Sequence, residues 1–202
     1  MCGRYRFKED DSDIEEIERI LTEINNKYKG TEQKAATGEV FPSNNAAVLA
    51  LEADKPALSL MKWGFPMWNS KGLIINAKSE TAAEKKTFAK PLAERRCAVP
   101  STGFYEWSHG AKGKTGAKYI FNAPDSPMLY MAGLFQTFTD EERNSQNRFV
   151  ILTRASNKYI SDIHDRMPVI LRKDELTRWL GDYGFAAYVM GRDDVELTRR
   201  SG

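Results

Sequence analysis

The sequence predicts an α+β protein with a largely antiparallel sheet, closed or sandwiched, in one domain. Strand candidates outnumber helices and do not alternate regularly with them, which speaks against a doubly wound parallel sheet. They are short, aromatic and β-branched, and Gly, Pro, Asn and Asp separate them. A chain of 202 residues, 41% apolar, with four Trp, eight Tyr and ten Phe, can fill one real core.

The elements follow in order. Ser12-Asp13-Ile14-Glu15 is a capping box, with Ser12 as N-cap and Glu15 three residues on. Ile14, Ile17, Leu21, Ile24 and Tyr28 recur at helical spacing and Gly30 offers a stop, so a helix is predicted here with its acidic face to solvent. Strands are predicted at Ala47–Leu51, Leu58–Trp63, Cys97–Pro100, Gly103–Trp107, Lys118–Asn122, Met128–Phe135 and Arg148–Thr153. Ser79–Lys90 reads as helical, with Glu80, Glu84 and Lys85 on its polar side. Asn157–His164 reads as a short helix before a strand at Pro168–Leu171, and Asp174–Leu180 as a further helix capped by Asp174. Two polar hairpin tips are expected, Ser108–Lys118 and Thr137–Asn147. The Gly/Lys-rich first tip is not a phosphate loop, because Gly110-Ala111-Lys112-Gly113-Lys114-Thr115 has the wrong spacing.

Composition narrows the function classes. No stretch approaches the roughly 18 unbroken apolar residues of a membrane span, and the N-terminus has no apolar signal-peptide core. A soluble, intracellular protein is expected. Two Cys (Cys2, Cys97) and two His (His109, His164), without CxxC or HxxxH spacing, speak against a disulfide scaffold and a metal site. Net charge is only +2, but seven of the 28 acidic residues fall between Glu9 and Glu18. The rest of the chain has a clear basic excess, compatible with a polyanion-binding face or with a plain solvated surface.

Five segments could carry chemistry. Removal of Met1 would leave Cys2 with an α-amine of ordinary pKa about 7.7–8.0 beside a thiol of about 8.5. A 1,2-aminothiol condenses with an aldehyde to a thiazolidine, or attacks an amide with its own amine as base. The plainer alternative is an incidental residue at a chain end. Trp63-Gly64-Phe65-Pro66-Met67-Trp68 forms an aromatic corner; Trp63 reads as a core anchor, Trp68 as a stacking residue for a base. Asn76 leaves an apolar run where its amide could orient a nucleophile or cap a helix, and Lys78 and Lys86 could meet phosphates or water. Glu106, between Tyr105 and Trp107, suits a buried general acid–base. His164 is a candidate proton shuttle or a structural imidazole, His109 reads as solvated, and Cys97 as core.

Together, Met1-Cys2-Gly3-Arg4-Tyr5, the Trp63–Trp68 corner, Asn76-Ala77-Lys78-Ser79-Glu80-Thr81, Gly103-Phe104-Tyr105-Glu106-Trp107 and His164-Asp165-Arg166-Met167-Pro168 resemble the SRAP family of abasic-site-processing proteins, in the family's order. The resemblance implies a single compact domain over 1–202 around a barrel-like sheet with flanking helices. It implies covalent capture of abasic sites in single-stranded DNA as a thiazolidine on Cys2, with Met1 removed by self-processing and with possible strand cleavage. Asn76 would orient Cys2, Glu106 would be the general acid–base, and His164 would assist ring opening and reversal. Arg4, Lys78, Lys86 and Thr153 would contact phosphates, and Pro42 and Trp68 would pack on flanking bases. No cofactor or metal is implied. The expected protein is a bacterial monomer of the cytoplasm, at the nucleoid, acting in the DNA damage response. Lys78 and Lys86 depart from the Arg of many members, keeping charge without the bidentate fork. Glu39-Val40-Phe41-Pro42-Ser43-Asn44 departs from a Tyr-Asn-x-x-Pro pattern. An N-terminal-nucleophile amidohydrolase or peptidase using Cys2 remains the alternative, and a DNA- or RNA-binding module without chemistry is a third.

Overall fold

Runs rich in aromatic and β-branched residues make the strands of this chain, and short polar turns fold many of them back on one another. The computed structural model describes residues 2–8, 14–68, 70–110, 115–140, 142–192 and 194–202. The order is β1 (Tyr5–Phe7), α1 (Glu15–Lys27), β2 (Gly38–Val40), β3 (Asn45–Glu52), β4 (Lys55–Trp63), β5 (Phe65–Pro66), β6 (Leu73–Ile74), β7 (Asn76–Lys78) and α2 (Lys86–Glu94). Then come β8 (Arg96–Ser101), β9 (Gly103–His109), β10 (Thr115–Asn122), β11 (Leu129–Thr139), β12 (Ser145–Ala155), β13 (Arg166–Pro168) and β14 (Ile170–Leu171). Helices α3 (Leu176–Gly181) and α4 (Tyr183–Gly191) and strand β15 (Thr198–Ser201) end the chain.

Five strands close a ring: β3 pairs with β4 and β8, β8 with β11, β11 with β12, and β12 returns to β4. A ring with an odd number of strands cannot be antiparallel throughout. Within the ring the one parallel pair is β12–β4, with Arg148 opposite Lys62 and Phe149 opposite Trp63. β7 and β13 extend the ring on β12, and β14 extends it on β11. A second, antiparallel sheet runs β15-β10-β9-β1-β2.

Alternation along the ring strands feeds two cores. Cys97, Val99, Met131, Phe149 and Ile151 join Tyr5, Phe7, Phe104 and Phe121 of the second sheet and Ile17, Ile20 and Ile24 of α1. Their neighbours Ala98, Ala132, Leu134, Val150 and Leu152 pack under Leu92, Trp179, Phe185 and Val189 of the last three helices. Arg96, 3% exposed, fastens those helices to the ring. Its guanidinium donates to the carbonyls of Leu92 and Ala93 at 2.7 Å each, Trp179 at 2.6 Å and Leu180 at 2.9 Å, satisfying the ends of α2 and α3 together.

The expected α+β class and barrel-like sheet are present, and the expected strands fall on β3, β4, β8–β12 and the β13–β14 pair. The helix at Ser79–Lys90 is displaced. Residues 79–85 form turns and α2 starts at Lys86, because the Glu80 side chain is drawn to Arg166 and to the Ala155 amide rather than to a helix face. Asn157–His164 is a run of turns, with the Asn157 side chain accepting from the Tyr159 amide at 3.1 Å. Asp174 lies within a 3-10 turn, Lys173–Glu175, ahead of α3. The Thr137–Asn147 tip is narrower than expected, since β11 and β12 pair as far as Thr139 opposite Ser145. The capping Ser12 and the centre of the Ser108–Lys118 tip, residues 111–114, lie outside the described residues, as does Met1.

Candidate active site

Glu106 is the centre of the site. It lies on β9 and is 2% exposed. Loss of water favours the neutral acid and pushes its carboxyl up to about 7. His164, just ahead of β13, sets Nε2 3.8 Å from Glu106 Oε2. The Arg166 backbone N–H donates to His164 Nδ1 at 3.0 Å, so the neutral ring carries its proton on Nε2, the atom facing Glu106. Asp165 Oδ1 also lies 3.0 Å from Nδ1 and favours the protonated ring. Asp165 is exposed, however, so water weakens its pull, and burial holds His164 below its ordinary value. His109, exposed at the end of β9, is more than solvated: its ring stacks on His164, centroids 6.0 Å apart at 22°.

β1 delivers Cys2 to this place. The Tyr105 amide donates to the Arg4 carbonyl at 2.9 Å, continuing the pairing in which Tyr5 lies opposite Phe104. Cys2 is fully buried, and its thiol points at the Arg4 carbonyl at 3.8 Å. Burial first, and then the charge of Glu106, raise the thiol pKa. The second of these causes marks Cys2 and Glu106 as electrostatic neighbours. Cys97, also a free buried thiol, lies on β8, as expected of a core residue.

Asn76 opens β7, opposite Ile151 of β12. Its Nδ2 donates to the Ile151 carbonyl at 3.5 Å, while its Oδ1 is buried with no hydrogen-bond partner among the described residues. Trp63 steadies the approach: it is fully buried, and its indole N–H donates to the Ile75 carbonyl at 3.0 Å. β7 and β13 flank β12 on its two sides, with Thr153 opposite both Lys78 and Pro168. The topology therefore brings the segments of Asn76 and His164 to the same stretch of β12.

The residues named for DNA are spread more widely. Arg4 is half-buried, and its guanidinium lies over the Phe41 ring at 4.2 Å and the Trp107 ring at 5.1 Å. Pro42 is half-buried in the turn between β2 and β3, Lys78 is exposed at the end of β7, and Lys86 is exposed at the start of α2. Trp68 is 99% exposed. Thr153 is fully buried and its hydroxyl accepts from Arg166 at 3.4 Å, so it faces the protein interior in this structure.

Sequence reasoning gave no role to Arg166 and Glu80, which clip the two site segments together. Arg166 donates to both Glu80 oxygens, at 2.6 and 2.8 Å, and to the Thr153 carbonyl at 2.7 Å. That bidentate pair holds the Glu80 carboxyl down at about 2. Both residues stand inside quoted motifs, but 86 positions separate them, and no periodicity in a single sequence signals such a pairing. Among the described residues, no group of three or more His, Cys, Asp or Glu could hold a metal ion, and no helix is long and apolar enough to cross a membrane.

The chain is similar to known proteins over most of its length. Among solved structures, a protein from Bacteroides thetaiotaomicron is 21% identical and aligns over 99% of this chain and 91% of its own with a TM-score of 0.78, a likeness of fold. Abasic site processing protein YoqW of Bacillus subtilis is 34% identical over 188 residues, covering 89% of this chain and 80% of that one. Abasic site processing protein YedK of Escherichia coli is 28% identical over 186 residues, covering 89% and 79%. The model of the SOS response associated peptidase family, SRAP, matches residues 1–187, a span that holds Cys2, Asn76, Glu106 and His164 alike, and the chain belongs to that family.

Proposed function

We propose that this protein processes abasic sites in DNA, capturing them covalently in single strands through Cys2. The observation that carries the reading is a buried carboxyl, Glu106, next to the Cys2 thiol and 3.8 Å from an imidazole. The names of the relatives support the substrate. Loss of Met1 frees the Cys2 amine. Because burial keeps the thiol protonated, the amine is the first nucleophile and attacks the C1′ aldehyde of the ring-opened deoxyribose. Glu106, protonated near neutral pH, gives a proton to the departing hydroxyl, so water leaves and a C=N bond forms. The thiol then adds to that carbon. Its proton returns through the carboxylate to the nitrogen, and the five-membered ring closes with one water lost overall.

Asn76 Oδ1 suits an acceptor for the Cys2 amine. His164, with a proton on Nε2, suits the sugar-opening step and, in reverse, release of the crosslink or strand cleavage. Arg4, Lys78 and Lys86 serve phosphates, Pro42 and Trp68 serve flanking bases, and Thr153 serves from below, through Arg166. The protein acts as a monomer at the bacterial nucleoid, shielding the lesion during the damage response.

The test is a denaturing gel of the protein mixed with single-stranded DNA holding one abasic site. A shifted covalent band is expected with the processed wild type and not with Cys2→Ala. Absence of the band from wild type, or its persistence unreduced in Cys2→Ala, contradicts the proposal.

A further inference from the structure

On the second sheet, the register aligns one group of side chains. Arg6 lies opposite Glu39, and Lys118 lies opposite Trp107. Side chains alternate along a strand, so Tyr105 and Trp107 point to the face of β9 opposite that of Glu106. On that face two cations meet one carboxylate oxygen. Glu39 Oε1 accepts from Arg4 Nη1 at 3.1 Å and from Lys118 Nζ at 2.8 Å. The cations rest on aromatic rings. Arg4 lies over Phe41 and Trp107, and Lys118 lies over Tyr105 at 4.0 Å and over Trp107 at 5.8 Å from the ring centroid. All three charged side chains are only about a third exposed or less, at 32%, 29% and 26% for Arg4, Glu39 and Lys118.

We infer that Arg4 and Lys118 form a phosphodiester subsite on this aromatic floor and that Glu39 occupies it as a stand-in anion when no DNA is bound. The inference rests on the function proposed above and extends it to residues with no part in the chemistry. Three features argue for a phosphate. The cations outnumber the carboxylate two to one, which leaves the cluster positive. A single oxygen serves both of them, so Arg4 keeps donors unused by Glu39, including a buried Nε with no partner among the described residues. A phosphodiester offers two anionic oxygens to match a guanidinium fork and an ammonium together. Arg4 stands two residues from Cys2 in the chain, which keeps this cluster near the proposed point of capture. Burial works against ionisation of Glu39, but the bonds from Lys118 and Arg4 outweigh it and hold its carboxyl below the ordinary range, charged at every working pH. Glu39 thus keeps two rotamer-rich side chains in position, and an entering phosphate must compete with it.

The experiment measures dissociation constants of intact single-stranded DNA across a salt series for wild type, Glu39→Gln and Lys118→Gln. Glu39→Gln should bind about three- to fivefold tighter at low salt, with a log–log salt slope steeper by up to about 0.7, the increment for one phosphate of a single strand. Lys118→Gln should weaken binding by a similar factor and flatten the slope. Weaker or unchanged binding by Glu39→Gln overturns the inference, as does unchanged binding by Lys118→Gln. Crosslinking of abasic DNA by wild type is read beside it. A wild type that crosslinks while Glu39→Gln leaves affinity and slope unmoved ends the inference alone, whereas a wild type that neither binds nor crosslinks ends the functional reading.

Discussion

Glu106 is a carboxyl that the fold holds about half uncharged at neutral pH, and this has a cost that can be measured. Its folded pKa, about 7, lies above the unfolded value of about 4.3. The folded chain therefore binds more protons in that window, and stability falls as pH rises from about 4 to about 7. At about 1.4 kcal/mol per unit, the loss is about 3–4 kcal/mol. Glu106→Gln removes the titrating group. In urea melts it should be more stable than wild type at pH 8 and close to wild type at pH 4.5, while crosslinking slows by about 10²-fold. A variant less stable at both pH values would contradict the assignment. At this scale the sequence was informative where chemistry is local: an aminothiol at Cys2, a carboxyl between two aromatics, a buried Trp63 and an exposed Trp68. It was silent on the Arg166–Glu80 clip, the His109–His164 stack and the Glu39 cluster, because those partners meet only after the chain has folded.

The elements show which local rules won. The β3–β4 hairpin turns on Ala53 and Asp54, both with positive φ, 47° and 63°, the conformation of a two-residue turn that favours Asn and Gly. Alanine is strained there, so Ala53→Asn should raise stability by about 0.5–1 kcal/mol in thermal melts; a loss would show that the turn differs. Arg96 has the opposite prospect. Its four carbonyl partners lose their donor in Arg96→Ala, which should cost about 3 kcal/mol or more by chemical denaturation, with α2 and α3 losing protection first in hydrogen exchange. Strands rich in aromatic and β-branched residues between turn residues were legible. The Ser79–Lys90 helix was misplaced because periodicity cannot sense a tertiary ion pair, and α4 was missed because its apolar residues, Tyr183 to Met190, surround the helix without a polar face.

At the scale of the molecule, the ring closes through a parallel contact between β4 and β12, strands far apart in sequence, and nothing in composition announces that closure. Residue patterns left a closed and a sandwiched sheet both open, and the five ordered segments resembling one family favoured the closed one. The closure matters for function because β12 carries β7 on one side and β13 on the other, which sets Asn76 and His164 about one stretch of strand while β9 and β1 bring Glu106 and Cys2. Cys2 is buried in the main core, and on the proposed reading it is a reagent held in place by the whole fold. The most direct test of that claim is the intact mass of the protein after incubation with abasic single-stranded DNA, with and without borohydride. The account predicts loss of Met1 and a gain of the DNA strand less one water, with no further gain of two hydrogens on borohydride treatment, as a closed thiazolidine requires. An unmodified mass, or an adduct that takes up two hydrogens as an open imine does, would contradict it.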